Sequence, residues 1–293
     1  MSRLGIRLSL YLPLLWLLLF VLLPLLIVLK ISLAEPALAQ PPYTALLTWQ
    51  DGWPHLQARL YGYQLLLQDE LYLHSLLQTL WIAGLATLGC LLLGYPMAYA
   101  IARAQPNWSG PLLLLVILPF WTSFLLRVYA WIGLLREGGP INGLLQDLGL
   151  IAMPLPLLHS GFAVLVGMIY AYLPFMVLPL TATLLRLDPT LLEAADDLGA
   201  PPWRRFLAIT LPLSRPGVLA GCLLVFIPAL GEFVIPDLLG GPGQMLIGRA
   251  LWNEFFANRD WPAAAALTVV LLLLITLPMR WLNQLERAQE QAS

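Results

Sequence analysis

EAADDLGAPPWRRFLAITLP, residues 193–212, is a charged stretch set between two long apolar runs. It holds Glu193-Ala194-Ala195, then Gly199 after a gap of three, then Ile209-Thr210-Leu211-Pro212 after a gap of nine. Asp188-Pro189 just before it reads as a helix start. Asp would accept backbone N–H groups at the cap, and Pro stands at the first helical position, where its missing N–H costs nothing. On the helix that follows, Leu191, Ala195 and Leu198 fall on one face and Glu193, Asp196 and Asp197 on another. Gly199 stands where a left-handed residue is wanted, so the helix is expected to end there. Pro201-Pro202 opens a second short helix carrying Arg204 and Arg205, which Pro212 is expected to close. Ala194 and Ala195 leave room for a partner surface to approach closely.

Composition fixes the class of protein around this loop. The chain has 293 residues, 60% of them hydrophobic and 11% charged, with a mean hydropathy of +0.81. An ordinary soluble domain cannot have that balance. The net charge of −1 gives no reason to expect a nucleic acid partner. Cys90 and Cys222 both lie inside apolar runs, where buried, inert thiols are expected rather than a disulfide or a metal site. His55, His74 and His159 stand singly, without the spacing of metal ligands. Lys30 is the only lysine, and no glycine-rich lead precedes it. A phosphate-binding loop needs a lysine after such a lead, so this chain is not expected to hydrolyse ATP.

A bilayer crossing takes about 20 apolar residues as helix. Six runs qualify: 8–29, 76–101, 112–135, 162–185, 217–235 and 263–281. Prolines 96, 119, 174, 179 and 228 interrupt them, which a helix bundle tolerates, often with a kink. Placing the N-terminus in the cytoplasm puts Arg3, Arg7, Arg103, Arg186, Arg204, Arg205, Arg215, Arg280 and Arg287 inside. It leaves Lys30, Arg59, Arg136, Arg249 and Arg259 outside, an inward bias that also puts the 193–212 loop in the cytoplasm. Residues 1–30 read as an uncleaved anchor. Arg3, Arg7 and Ala37-Leu38-Ala39 imitate a signal peptide, but the apolar run is too long and the cleavage-like triplet too distant. Residues 31–75 form an external loop, whose segment LQARLYGYQLLLQDELYLHSLL looks like a helix lying on the membrane surface. Residues 76–283 carry the remaining spans, with the loop at 188–212, and 284–293 a cytoplasmic tail.

The spacing of Glu-Ala-Ala, Gly and Ile-x-Leu-Pro resembles the EAA loop of ABC importer permeases, with no position departing from it. The resemblance implies an all-α integral membrane protein, a six-span helical bundle of the type I importer fold. It implies partners: a pair of cytoplasmic ATPases that bind ATP and Mg, a second homologous permease and a periplasmic binding protein, with lipid around the spans. Glu193, Ala194, Ala195, Gly199, Arg204 and Arg205 would form the ATPase-coupling loop. LPFWTSFLLRVYAW (118–131), YAYLPFMVLP (170–179) and GEFVIPDLLGG (231–241), with the later NRDWP, are similar to polyamine permeases of the putrescine and spermidine type. Sulfate, iron and thiamine permeases share the loop and fold.

A polyamine is a flexible cation, suited by carboxylates for its charge, aromatic faces for cation–π contact and apolar walls for its methylenes. Glu232, in an otherwise apolar run, and Asp237 could supply the charge; Trp121, Tyr129, Tyr172 and Phe226 the faces. An ionisable group at that depth is expected to face a cavity or a partner. Arg127, in the middle of the third run, offers an alternative role for Glu232 as its ion-pair partner between spans. An ion-gradient transporter would also use six spans, but it leaves the loop unexplained and no repeated halves stand out. An integral-membrane enzyme lacks a convincing constellation of His, Asp or Cys.

Overall fold

The computed structural model describes residues 11–50 and 53–290. Arg3, Arg7, the first three residues of the first apolar run and Asp51 lie outside the described residues. The chain comprises two compact units, residues 1–74 with 250–293, and residues 75–249.

In the first unit, α1 (Tyr11–Ser32) is a helix long and apolar enough to cross a membrane. Its leucines are almost all exposed, a surface only lipid or another apolar partner would cover. After it the chain makes a short antiparallel pair, β1 (Leu47–Gln50) and β2 (Trp53–Leu56), with Leu47 opposite Leu56 and Thr48 opposite His55. The sequence reading had no strands. The expected surface helix is instead divided: Leu56 ends β2, residues 57–60 are not helical, the middle forms α2 (Tyr61–Gln68), and its last part is the first two turns of α3 (Glu70–Arg103). Asp69, extended between them, marks the division, and its carboxylate accepts from the Leu71 N–H at 2.9 Å. The last helix of the chain, Trp261–Glu290, packs on α1 and α2 through the buried Ala263–Ala266 run and Leu267.

The second unit holds most of α3, with Pro96 inside it, and α4 (Pro106–Ile117) and α5 (Phe124–Leu135). Residues 112–135 were expected as one span. They are two helices that meet at 91°. A tight turn, Leu118–Trp121, and an extended Thr122 separate them. Pro119 in that turn offers no N–H to continue the α-helical ladder. Beyond lie α6 (Pro140–Asp147), α7 (Gly161–Leu184) and α8 (Thr190–Asp197). Helix α9 (Pro202–Leu213) and α10 (Arg215–Leu230) then meet at 63°, and α11 (Val234–Leu239) follows. Helix α10 ends at Leu230, five residues before the expected end of the fifth span. Helix α12 (Ile247–Trp252) leads back to the first unit, and α13 is the Trp261–Glu290 helix described above.

The centre of the second unit is α7 lying along α10, and small residues set how close they come. A Cβ on Gly221 would sit 2.6 Å from the Met176 sulfur, so only glycine fits there. Met168, Met176, Val177 and Leu180 on α7, with Val225 and Leu230 on α10, are buried. Helix α11 packs on α5 and α7, burying Ile235, Pro236 and Leu239. Among the described residues three helices (α1, α3 and α7) are long and apolar enough to cross a bilayer, or five candidate spans if each bent pair is one; the apolar part of α13, Trp261–Thr276, is shorter. Each of the six expected runs falls on one of them.

Candidate functional site

The 193–212 loop folds as a helix–turn–helix. Asp188 accepts from the Thr190 N–H at 3.0 Å, and that bond holds its carboxyl below the usual carboxylate range. Pro189 has helical backbone angles but stands one place outside α8. At the other end Gly199 has φ +72°. The N–H of Ala200 bonds the Ala195 carbonyl at 3.0 Å, and the N–H of Gly199 the Asp196 carbonyl at 2.8 Å. These two bonds close the helix with a left-handed cap, as the sequence led us to expect.

The structure adds which way the helix turns, and corrects where the second one ends. Leu198 is 88% exposed and Leu191 is exposed too, while Leu192 and Ala195 are half-buried. The periodicity identified an apolar stripe but not which way the helix turns it. Pro212 does not end the second helix, which runs on to Leu213. Residues Phe206–Thr210 form one wide π turn, in which the Leu211 N–H reaches the Phe206 carbonyl. That wider register carries the chain past the proline without the ladder bond proline cannot make.

The loop therefore presents Glu193, Ala194, Asp197, Leu198, Trp203 and Arg204 to the outside. Arg205 turns inward and pairs with Asp196. Behind the loop is a cavity of about 280 Å3, lined by Tyr99, Arg103, Glu193, Asp196, Arg205 and Thr210 among others.

The second group of expected residues is only partly brought together. Glu232 lies in the break between α10 and α11. One carboxylate oxygen accepts from the N–H groups of Val234 at 2.9 Å and Ile235 at 3.2 Å, capping α11. The other accepts from the hydroxyl of Tyr172, which is buried on α7. Glu232 is not paired with Arg127. Among the described residues no carboxylate lies within ion-pair distance of Arg127. Its guanidinium stands over Phe120 at 5.1 Å and Phe124 at 5.7 Å, with its Nε buried and unbonded. Helix capping explains the difference: two backbone donors at a helix start are already aimed at Glu232, and sequence distance alone gave no hint of them.

Asp237 pairs with Arg249, Oδ1 to Nε at 3.1 Å. Trp121 and Tyr129 are exposed, 74% and 54%. Phe226 lines an apolar cleft of about 360 Å3 with Gly84, Leu88, Leu91 and Cys222, and no carboxylate lines that cleft. Of the six residues named for a substrate path, the structure joins Glu232 and Tyr172.

Sequence reasoning missed a polar network in the first unit. Glu254, buried, accepts from the Tyr72 hydroxyl at 2.7 Å and from Asn258 Nδ2 at 3.0 Å. Asp260 accepts from the Ala263 N–H at 3.0 Å and the Tyr61 hydroxyl at 3.3 Å. Burial, then the nearby Glu254 charge, push the Asp260 carboxyl up, against its hydrogen bonds. Glu254 and Asp260 carry no role in the sequence analysis. Their place among aromatic residues in WNEFFANRDWP was the available signal.

Residues 1–291 match the family described as binding-protein-dependent transport system inner membrane component. This chain belongs to that family. It is a multi-pass membrane protein and a transport component rather than an enzyme. It is 38% identical over 268 residues to the spermidine/putrescine transport system permease protein PotB of Haemophilus influenzae, covering 89% of this chain and 87% of that one. The protein of the same name from Escherichia coli K12 is 42% identical over 263 residues, covering 89% and 90%. Among solved structures, a bacterial alginate ABC transporter in complex with its alginate pentasaccharide-bound periplasmic protein aligns with a TM-score of 0.71. It is 19% identical, over 97% of this chain and 94% of that one, a likeness of fold.

Proposed function

We propose that this chain is one of two permease subunits of an ATP-driven importer of the bacterial inner membrane, and that its cargo is a polyamine, putrescine or spermidine. The observation that carries the reading is the complete EAA loop, folded as a capped helix–turn–helix with Glu193, Ala194, Leu198, Trp203 and Arg204 facing outward. Identity of 38% and 42% to two spermidine/putrescine permeases, over most of both chains, supports the cargo.

In this reading a pair of cytoplasmic ATPases binds ATP and Mg and closes on the loop. Glu193 to Gly199 receive the movement, and the spans tilt so that the path opens to the two sides of the membrane in turn. A periplasmic binding protein delivers the cargo, and a second, homologous permease completes the path. Both chain termini are cytoplasmic. No bond of the cargo is made or broken, and ATP is hydrolysed in the partner. Glu232 and Tyr172 lie where an unwound break between α10 and α11 opens the backbone. A passing ammonium would meet the carboxylate there, in exchange for the Tyr172 hydroxyl bond. Asp237, Trp121, Tyr129 and Phe226 take no defined part in that exchange.

Uptake of labelled cargo by proteoliposomes holding the whole complex and its binding protein tests the proposal. Saturable entry of putrescine or spermidine, uncompeted by sulfate, iron or thiamine, is expected. Entry of one of those solutes in place of a polyamine would remove the cargo assignment.

A further inference from the structure

The two helices of the coupling loop are joined through Leu198-Gly199-Ala200-Pro201, and nothing lies within 4 Å of where a Gly199 side chain would be. A push on α8 through so open a turn could be absorbed by bending it. One contact bridges the turn: Asp196, in the last turn of α8, pairs with Arg205 of α9. The Arg205 side chain is 23% exposed and that of Asp196 55%, so the pair is shielded from water on the arginine side only; its part is to fix geometry across the turn, since an ion pair open to water adds little stability.

The next residue continues the connection. Phe206 meets Tyr95 and Tyr99 of α3 edge-on, with ring centres 5.5 Å and 5.9 Å away. The Tyr95 hydroxyl in turn bonds the Ser214 hydroxyl at 2.8 Å, and Ser214 is the residue at the 63° bend between α9 and α10. Arg103 covers the ring of Tyr99 at 5.6 Å. A continuous set of contacts thus runs from α8 to α9, to α3, and to the hinge that starts α10.

We infer that the Asp196–Arg205 pair clamps α8 and α9 into one lever, and that Phe206, wedged against Tyr95 and Tyr99, passes its movement to α3. Asp196 and Arg205 are positioning residues: they act through the loop and touch neither ATP nor cargo. The inference rests on the permease reading above, and adds to it the link by which the ATPase moves the membrane helices.

The test uses the whole importer with Asp196→Arg, Arg205→Asp, the double exchange, and Phe206→Leu. Three quantities are read: ATPase retained on the purified complex, basal ATP hydrolysis, and hydrolysis stimulated by loaded binding protein. In each single variant, stimulated hydrolysis expressed per ATPase retained should fall about tenfold, the size of a typical coupling between sites. The double exchange, which restores opposite charges, should recover most of the stimulation, and Phe206→Leu should behave as a single variant.

Stimulation unaffected by the single variants would overturn the clamp, and so would a double variant no better than they are. Should a single variant lose the ATPase, the double decides: regained assembly with regained stimulation supports the clamp, and assembly without stimulation refutes it. A double variant that fails to assemble refutes it too. A wild-type complex that retains no ATPase refutes the permease reading and the clamp with it. Normal stimulation with Phe206→Leu removes the wedge from the account.

Discussion

Gly199 shows how a single residue can set a turn without a side chain touching anything. Its backbone is left-handed at φ +72°, and the space around it is open. A side chain there would meet no clash within this chain, but it would impose the left-handed penalty of about 1–2 kcal/mol on the cap. Gly199→Val should therefore leave the protein inserted at normal level and cut transport strongly, measured as uptake per assembled complex. Normal uptake would show that the turn tolerates distortion. At Glu232, the roles of cap and of charge separate by substitution. Glu232→Ala removes the acceptor for two N–H groups and should destabilise the start of α11 by about 1 kcal/mol. Glu232→Gln can still cap and bond Tyr172, so folded protein should persist while polyamine uptake falls. Because Arg127 is not its partner, adding Arg127→Gln should rescue neither property. Recovery in that double would reinstate the ion pair. The cap at Gly199 was legible because glycine after a short amphipathic helix has few other uses. The partner of Glu232 was not, because capping N–H groups belong to the backbone and carry no residue signature. Asp260 adds a pH dependence. Its carboxyl is raised, so the folded chain holds a proton that the unfolded chain releases. Stability should fall as pH rises from the ordinary carboxylate value through the raised one. Thermal unfolding across that range should show the slope, and Asp260→Asn should flatten it.

At the scale of elements, the account depends on where helices are broken and where they are pressed together. Apolar length located every candidate span, because the bilayer imposes a length on any helix that crosses it. It could not locate the 91° break between α4 and α5 or the early end of α10. Proline is tolerated within membrane helices, and Pro96, Pro174, Pro179 and Pro228 do lie inside continuous ones. Pro119 does not, and nothing in its immediate sequence separates it from the others. Close packing was likewise invisible: Gly221 is one of 22 glycines, and only the position of Met176 gives it a role. Gly221→Leu should force α7 and α10 apart and destabilise the fold by about 1–3 kcal/mol, seen as less folded protein and earlier thermal unfolding. Gly133→Leu, at a position with nothing within 4 Å of its Cβ, is the matched control and should not destabilise the fold. Equal effects of the two would mean that the α7–α10 contact does not set stability.

For the whole molecule, the sequence carried its largest share of information in composition and in one loop. Hydropathy separated membrane from soluble protein, and the fixed spacing of Glu193-Ala194-Ala195, Gly199 and Ile209-x-Leu211-Pro212 separated an importer permease from other bundles. The polar network of Glu254, Asp260, Tyr61 and Tyr72 was beyond it, since its members come from segments almost 200 residues apart. Orientation is the next property to establish. Cysteines placed at Arg204 and Trp53 should label with an impermeant thiol reagent from opposite sides, position 204 only after the membrane is opened. Labelling of 204 in intact cells would invert the topology. The most direct measurement of the central claim is the energy source of uptake, in proteoliposomes containing this chain, its partner permease, the ATPases and binding protein. Polyamine entry should require ATP and stop with a hydrolysis-deficient ATPase, whatever the ion gradient. Entry driven by an ion gradient without ATP would contradict the account.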